Sequence, residues 1–186
     1  GAALSISGLQ MQTIFRNPLA GPDVLGVSSG ASLGVALIVL GFGGVLLSDH
    51  ISTMGSWIQI GAAWIGAGFV LFLIMVVSLR VKDIMTILIL GILFGAATSA
   101  LVSIMQYFSN ETMLKAYVIW TMGSLGNLSS DQLKVLTIAV LTGLLLGVAL
   151  IKKMNALNLG ENYASSMGMN VRITRTLIFA CTSILA

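Results

Sequence analysis

The sequence predicts an all-α fold: one domain over residues 1–186, built as a polytopic bundle of transmembrane helices. Three observations carry this. The chain is 57% hydrophobic and 8% charged, whereas a soluble globular domain is about 25% charged. Mean hydropathy is +1.03, more apolar surface than a chain of this size can hide from water, so its solvent is lipid. The apolar runs are long enough to cross a bilayer as helices, without the period-two alternation of barrel strands.

The first run, 1–14, follows no initiator methionine or cationic leader and reads as the tail of a membrane helix rather than a signal peptide. TLIFACTSILA at the far end also stops inside an apolar run, so the expectation is a piece cut at both ends. After the first run comes a loop with Arg16, Asn17 and the chain's two prolines, Pro18 and Pro22. The prolines remove two backbone donors and fix φ, giving a rigid structural re-turn. Asn17, before a proline, is expected to be extended.

The second run, roughly 23–47, is opened by Pro22 and Asp23, which suit a first helical turn. Gly26, Gly30 and Gly34 recur every four residues and lay a side-chain-free groove along one face, where another helix can approach closely. The third run is roughly 57–80. The fourth, roughly 84–107, carries a second stripe of small residues, Gly91, Gly95, Ser99 and Ser103. That stripe is either a helix-packing seam or a wall facing a pathway. Residues 109–130 are too polar to span. Met113, Tyr117, Trp120 and Met122 fall on one side of a short interfacial helix there. The fifth run is roughly 132–151.

Lys152–Arg175 is the longest connection. Asn155–Leu159 is expected to form one short helix and Glu161–Met167 another. Gly160 breaks between them, and Gly168 ends the second in the αL conformation. Glu161 complements its helix's first turn. The pair is either a compact cap or a docking knob for a soluble partner. The sixth run begins near Ile173.

Charge sets the orientation. With the Arg16 loop on the cytoplasmic side, alternation puts Arg16, Arg80, Lys82, Lys152, Lys153, Arg172 and Arg175 inside and only Lys115 and Lys134 outside, a clear positive-inside bias. Trp57, Tyr107 and Trp120 lie near the outer ends, where amphipathic rings favour the interface. The scattered cations do not suggest nucleic acid. No charge lies mid-span, where it costs about 2.5–3.5 kcal/mol, which argues against ion coupling. Cys181 is the lone cysteine, which excludes an internal disulfide, and it reads as a small apolar helix residue. His50, the only histidine, reads as solvated rather than as a ligand. There is no phosphate loop, acidic pair or metal cluster, so neither a catalytic site nor a cofactor is expected.

One stretch carries a resemblance. Gly-Leu-Gln-x-Gln-x-x-x-Arg-Asn-Pro-Leu-Ala-x-Pro-x-x-Leu-Gly-x-x-x-Gly-Ala, from Gly8 to Ala31, resembles the permease family of ATP-binding-cassette importers for iron-siderophores, haem and vitamin B12. The resemblance implies a permease of roughly ten membrane helices, of which this chain covers the second to the start of the seventh. It implies that residues 84–107 line the translocation path between two permease subunits. Ile84, Met85 and Thr86 then lie at the cytoplasmic gate, as a hydrophobic constriction, with Gly91, Gly95, Ser99 and Ser103 along the path. Trp120–Met122–Gly123 resembles the family's aromatic-x-Met-Gly pattern at the outer mouth. Leu159, Gly160, Ala164 and Gly168 match Leu-Gly-x-x-x-Ala-x-x-Leu-Gly, with Met167 in place of leucine. That pattern marks residues 154–170 as coupling helices seated in an ATPase cleft, using Asn155, Leu157, Leu159, Gly160, Glu161, Ala164 and Gly168. Ala164 is expected to be small so that the knob can sit deep.

The implied function is ATP-driven import of an iron chelate, haem or cobalamin across the bacterial inner membrane. The implied partners are cytoplasmic ATPase subunits, a second permease subunit in a homodimer or heterodimer, an extracytoplasmic substrate-binding protein and the lipid bilayer. ATP hydrolysis is expected on the separate ATPase chain. The alternatives are an ion-coupled carrier or channel, which needs a buried ionisable residue or filter loop, and a membrane enzyme or scaffold, which needs a catalytic constellation or soluble domain.

Overall fold

The computed structural model describes residues 1–41, 52–81, 83–123 and 128–186. Its elements, in chain order, are helices α1 (Ala2–Phe15), α2 (Val27–Ala36), α3 (Ser52–Arg80), α4 (Ile84–Phe108), α5 (Glu111–Met122), α6 (Ser130–Leu159), α7 (Glu161–Ser166) and α8 (Val171–Leu185). Three of them, α3, α4 and α6, are long and apolar enough to cross a membrane. His50 and Lys82 lie outside the described residues, as does the end of the expected second run.

α1 stops at Arg16, whose backbone is left-handed at φ 48°. Arg16 and Asn17 both donate their N–H to the Gln12 carbonyl. The Asn17 side chain then accepts from Leu19 N–H at 2.9 Å, and its carbonyl accepts from Ala20 N–H at 3.1 Å. The chain is therefore turned by capping and an Asx turn as well as by its prolines. Pro22 and Asp23 do not open α2, contrary to the sequence expectation. Pro22–Leu25 is a separate 3₁₀ turn, ended by Gly26 at φ 67°. A left-handed residue cannot continue a helix, so α2 begins only at Val27. It loosens into a π turn at Leu37–Gly41.

The glycine groove is divided between two neighbours. A β-carbon at Gly30 would stand 2.6 Å from the Gly66 carbonyl oxygen, and one at Gly34 would overlap the Ala62 carbonyl oxygen. α2 and α3 therefore meet backbone to backbone, as small-residue packing in lipid requires. Gly26 instead faces α4, where an added β-carbon would lie 3.0 Å from the Gly91 carbonyl oxygen.

The other side of the bundle is built from larger side chains. Met11, Ile14 and Phe15 of α1, Leu150, Met154 and Leu157 of α6, and Ile178, Phe179 and Leu185 of α8 are buried together. Phe15 and Phe179 stack at 6.2 Å between centroids. This packing explains why α6 does not stop near residue 151. Leu150, Met154 and Leu157 form one stripe, and no glycine or proline intervenes before Gly160. Asn155–Leu159 is thus the last turn of a continuous helix rather than a short helix of its own.

A polar clamp lies inside this core. The Thr182 hydroxyl donates to Gln10 Oε1 at 2.7 Å, Gln10 Nε2 donates to Cys181 Sγ at 3.2 Å, and Cys181 Sγ donates to the Gly143 carbonyl at 3.3 Å. Cys181 is buried, but it joins α1, α6 and α8 by hydrogen bonds rather than serving only as apolar filler. Such bonds within a membrane average about 0.6 kcal/mol and reach about 1.7.

α5 is the short helix expected in 109–130. Asn110 caps it, accepting from Met113 N–H at 3.0 Å. Tyr117 is buried and stacks on Trp120, while Met122 is exposed. Met122 thus leaves the face that the spacing gave it. Gly123, at φ 66°, ends the helix.

Candidate functional site

The Arg16 loop, the start of α4, the end of α6, α7 and the start of α8 meet at one end of the bundle. Gly160 sits at φ 123°, ψ 148°, a conformation essentially restricted to glycine, and breaks α6 from α7. Gly168, at φ 82°, closes α7. Met169 N–H donates to the Ala164 carbonyl at 3.1 Å and Gly168 N–H to the Ser165 carbonyl at 3.0 Å. That pair of bonds is a Schellman cap. Asn170 then caps α8, accepting from Ile173 N–H at 3.1 Å.

α7 has two unlike faces. Ala164 is 0% exposed and belongs to the chain's own core, so its smallness lets α7 lie flat on α6 and α8. Ala164 thus serves the chain's own packing, and a tryptophan there would overpack this core. Leu157 is likewise buried at 4%. The outward surface holds Tyr163 (50% exposed) and Met167 (63%) together with Asn162, Ser165 and Ser166, and at the end of α6 Leu159 (68%) and Asn155 are exposed too.

Glu161 does more than complement a helix start. Its carboxylate accepts from the Arg175 guanidinium in an ion pair that links α7 to α8. The Arg175 side chain is 9% exposed and that of Glu161 38%. The guanidinium of Arg16 approaches the same junction, 3.9 Å from where a Gly160 β-carbon would stand. Thr13, Ile14, Arg16, Leu157, Glu161 and Arg175 enclose a recess of about 10 Å³, at the lower limit for one water.

Asp83 stands at the cap of α4. Its carboxylate accepts from the Thr86 hydroxyl at 2.8 Å, from Met85 N–H at 3.3 Å and from Thr86 N–H at 3.1 Å. The Thr86 hydroxyl bond, then the two backbone bonds, hold the Asp83 carboxyl below the usual carboxylate range, with a smaller contribution from the charge of Arg175. The Thr86 hydroxyl is committed to this cap. Ile84 packs partly on the core, and Met85 is exposed.

The small stripe of α4 splits in two. A β-carbon on Gly91 would overlap the Val24 carbonyl oxygen, and one on Gly95 would stand 3.4 Å from Ser29 Oγ. Gly91 is buried. These two glycines seat the Pro22–Gly26 turn, and Gly91 lines no open surface. Ser99 and Ser103 continue the stripe and are exposed, with the Ser103 hydroxyl turned back to the Ser99 carbonyl at 3.0 Å.

Sequence reasoning missed Asp83, although Asp-x-x-Thr ahead of an apolar run is a capping signal. It counted Arg175 as a loop cation, and nothing in the spacing ties Arg175 to Glu161. Gln10 entered only as a motif letter.

Comparison with known proteins identifies relatives of the chain and of its fold. Residues 1–186 match the FecCD transport family. The chain is 33% identical over 186 residues to the hemin transport system permease protein HmuU of Yersinia pestis, covering 100% of this chain and 54% of the relative. It is 33% identical over 183 residues to the vitamin B12 import system permease protein BtuC of Klebsiella pneumoniae, covering 98% of this chain and 52% of the relative. A solved structure described as an inward-facing conformation of a metal-chelate type ABC transporter matches with a TM-score of 0.84 and 28% identity, covering 100% of this chain and 57% of that one. The chain thus spans about half the length of the curated relatives it matches. A helical membrane bundle that matches the family over its whole length belongs to the FecCD transport family and is a multi-pass membrane protein.

Proposed function

We propose that this chain is part of a permease subunit of an ATP-driven importer that carries haem, an iron chelate or cobalamin across the bacterial inner membrane. The Arg16 end of the bundle is cytoplasmic, in keeping with the positive-inside bias. The protein pairs with a second permease subunit, receives cargo from an extracytoplasmic binding protein and is driven by ATPase subunits on the cytoplasmic side.

The observation that carries this reading is the two-faced α7. A six-residue helix is anchored through Ala164 and presents Tyr163 and Met167 outward. Two large exposed apolar side chains among small polar ones, on a short capped helix, suit docking into a cleft better than they suit solvent. The names of the relatives supply the transport context. Ser99 and Ser103 face the path or the second subunit, and Ile84 and Met85 stand at its cytoplasmic gate. Gly91 and Gly95 shape that wall from behind by holding the Pro22–Gly26 turn.

The test is co-purification of the intact transporter. With Tyr163→Arg and Met167→Arg combined, the permease is expected to insert and accumulate normally but to lose the ATPase chain and uptake. Full retention of the ATPase would contradict the docking reading.

A further inference from the structure

The knob is attached to the membrane helices in a way that bears on how movement passes through it. α7 leaves α6 through Gly160, whose backbone conformation breaks the helix there. It lies on the core through Ala164, a side chain too small to interlock. The firm cross-link is the ion pair of Glu161, the first residue of α7, with Arg175, one turn into α8. Among the described residues, the other ion pair joins Lys134 and Asp131, three apart on an exposed helix surface. The Arg175 side chain is buried and that of Glu161 is partly exposed, so the pair spans the edge of the core. α8 in turn packs against α1, α6 and α3.

We propose that the Glu161–Arg175 ion pair is the joint that carries displacement of the knob into α8. Glu161 is then a positioning residue for transport, not a contact to the ATPase. This rests on the docking reading above. A push on α7 pulls Arg175 with it. Arg175 belongs to the first turns of α8, so the start of α8 moves with the knob. Arg16, reaching the same junction from the end of α1, keeps the recess positive around a single carboxylate.

The experiment uses the intact transporter with its ATPase in proteoliposomes. It compares Glu161→Gln, Arg175→Glu, and the swap Glu161→Arg with Arg175→Glu. Permease accumulation, ATPase retention, ATP hydrolysis and uptake are all measured. For Glu161→Gln the expected result is unchanged ATPase retention, hydrolysis within twofold of the parent, and uptake lowered at least tenfold. The swap should recover at least a third of parental uptake, whereas Arg175→Glu alone does not. Uptake within twofold of the parent in Glu161→Gln overturns the proposal. So does loss of the ATPase from that variant, because the pair would then only shape the docking surface. If Glu161→Gln fails to accumulate, a swap that accumulates without recovering uptake, or that fails to accumulate, overturns it as well. Failure of the docking reading is separate. It shows as an ATPase that stays bound when Tyr163 and Met167 are replaced, whatever Glu161→Gln does.

Discussion

The two sides of this bundle are held together by different means. Where α2 meets α3 and α4, the contact is backbone against backbone. Gly30 and Gly34 lie on Ala62 and Gly66, and Gly26 lies on Gly91. Where α1, α6, α7 and α8 meet, it is side chain against side chain, with Gln10, Thr182 and Cys181 hydrogen-bonded in the core and Glu161 paired with Arg175 at its end. A glycine seam has one fit and no slack. A polar clamp can break one bond and form another. The first suits a fixed wall, and the second suits the part of a transporter that must transmit a movement.

The sharpest way to break this contrast is to put a side chain into the seam. A β-carbon at Gly66 would overlap the Gly30 carbonyl oxygen, so Gly66→Leu must drive two backbones apart. Overpacking costs about 1–3 kcal/mol where neighbours are flexible side chains, and backbone cannot yield as they do. The expected outcome is roughly a tenfold or greater loss of folded protein in the membrane, read by detergent extraction and size exclusion. Near-parental recovery would show that the seam has slack.

The clamp should respond more mildly. Thr182→Val removes the donor to Gln10 Oε1 and is expected to cost about 1 kcal/mol. The measurement is thermal unfolding of the solubilised protein. Thr182→Ser, which keeps the donor, should restore most of the difference. If valine were as stable as threonine, the clamp would be incidental to holding α1 on α8.

The smallest effect belongs to Asp83. Its carboxyl titrates below the usual range when folded, so its contribution is present above the ordinary carboxylate value, about 3.9, and is lost as pH falls through the lower folded value. The parent protein is therefore expected to lose thermal stability between pH 5 and pH 2 (about the range in which such groups titrate) slightly faster than Asp83→Asn. Identical pH slopes would remove Asp83 from the account.

Much of this contrast is legible in the sequence, for physical reasons. Lipid imposes long apolar runs, so α3, α4 and α6 stand out by length alone. Gly160 and Gly168 announce their positive φ because few other residues tolerate it. Less legible is which neighbour a face meets. Gly26 follows the four-residue spacing of Gly30 and Gly34, yet it turns to α4 because it caps a 3₁₀ turn instead of lying within α2. Ala164 matches its motif, but the motif does not say whether its small side faces a partner or its own chain. Glu161 and Arg175 meet only through tertiary packing, which no local period encodes. The apparent helix break after residue 151 misled because Lys152 and Lys153 resemble a loop, while Met154 and Leu157 carry the buried stripe onward.

In the proposed transporter, the outward face of α7 docks an ATPase. The most direct measurement is site-specific photo-crosslinking in the assembled transporter, with a photoreactive amino acid placed at position 163, 167 or 108. Positions 163 and 167 lie on the knob, and position 108 lies at the opposite end of α4. Docking through α7 gives adducts with the ATPase chain from 163 and 167 and none from 108. No ATPase adduct from 163 or 167 in a complex that still holds its ATPase, or an adduct from 108, would contradict it.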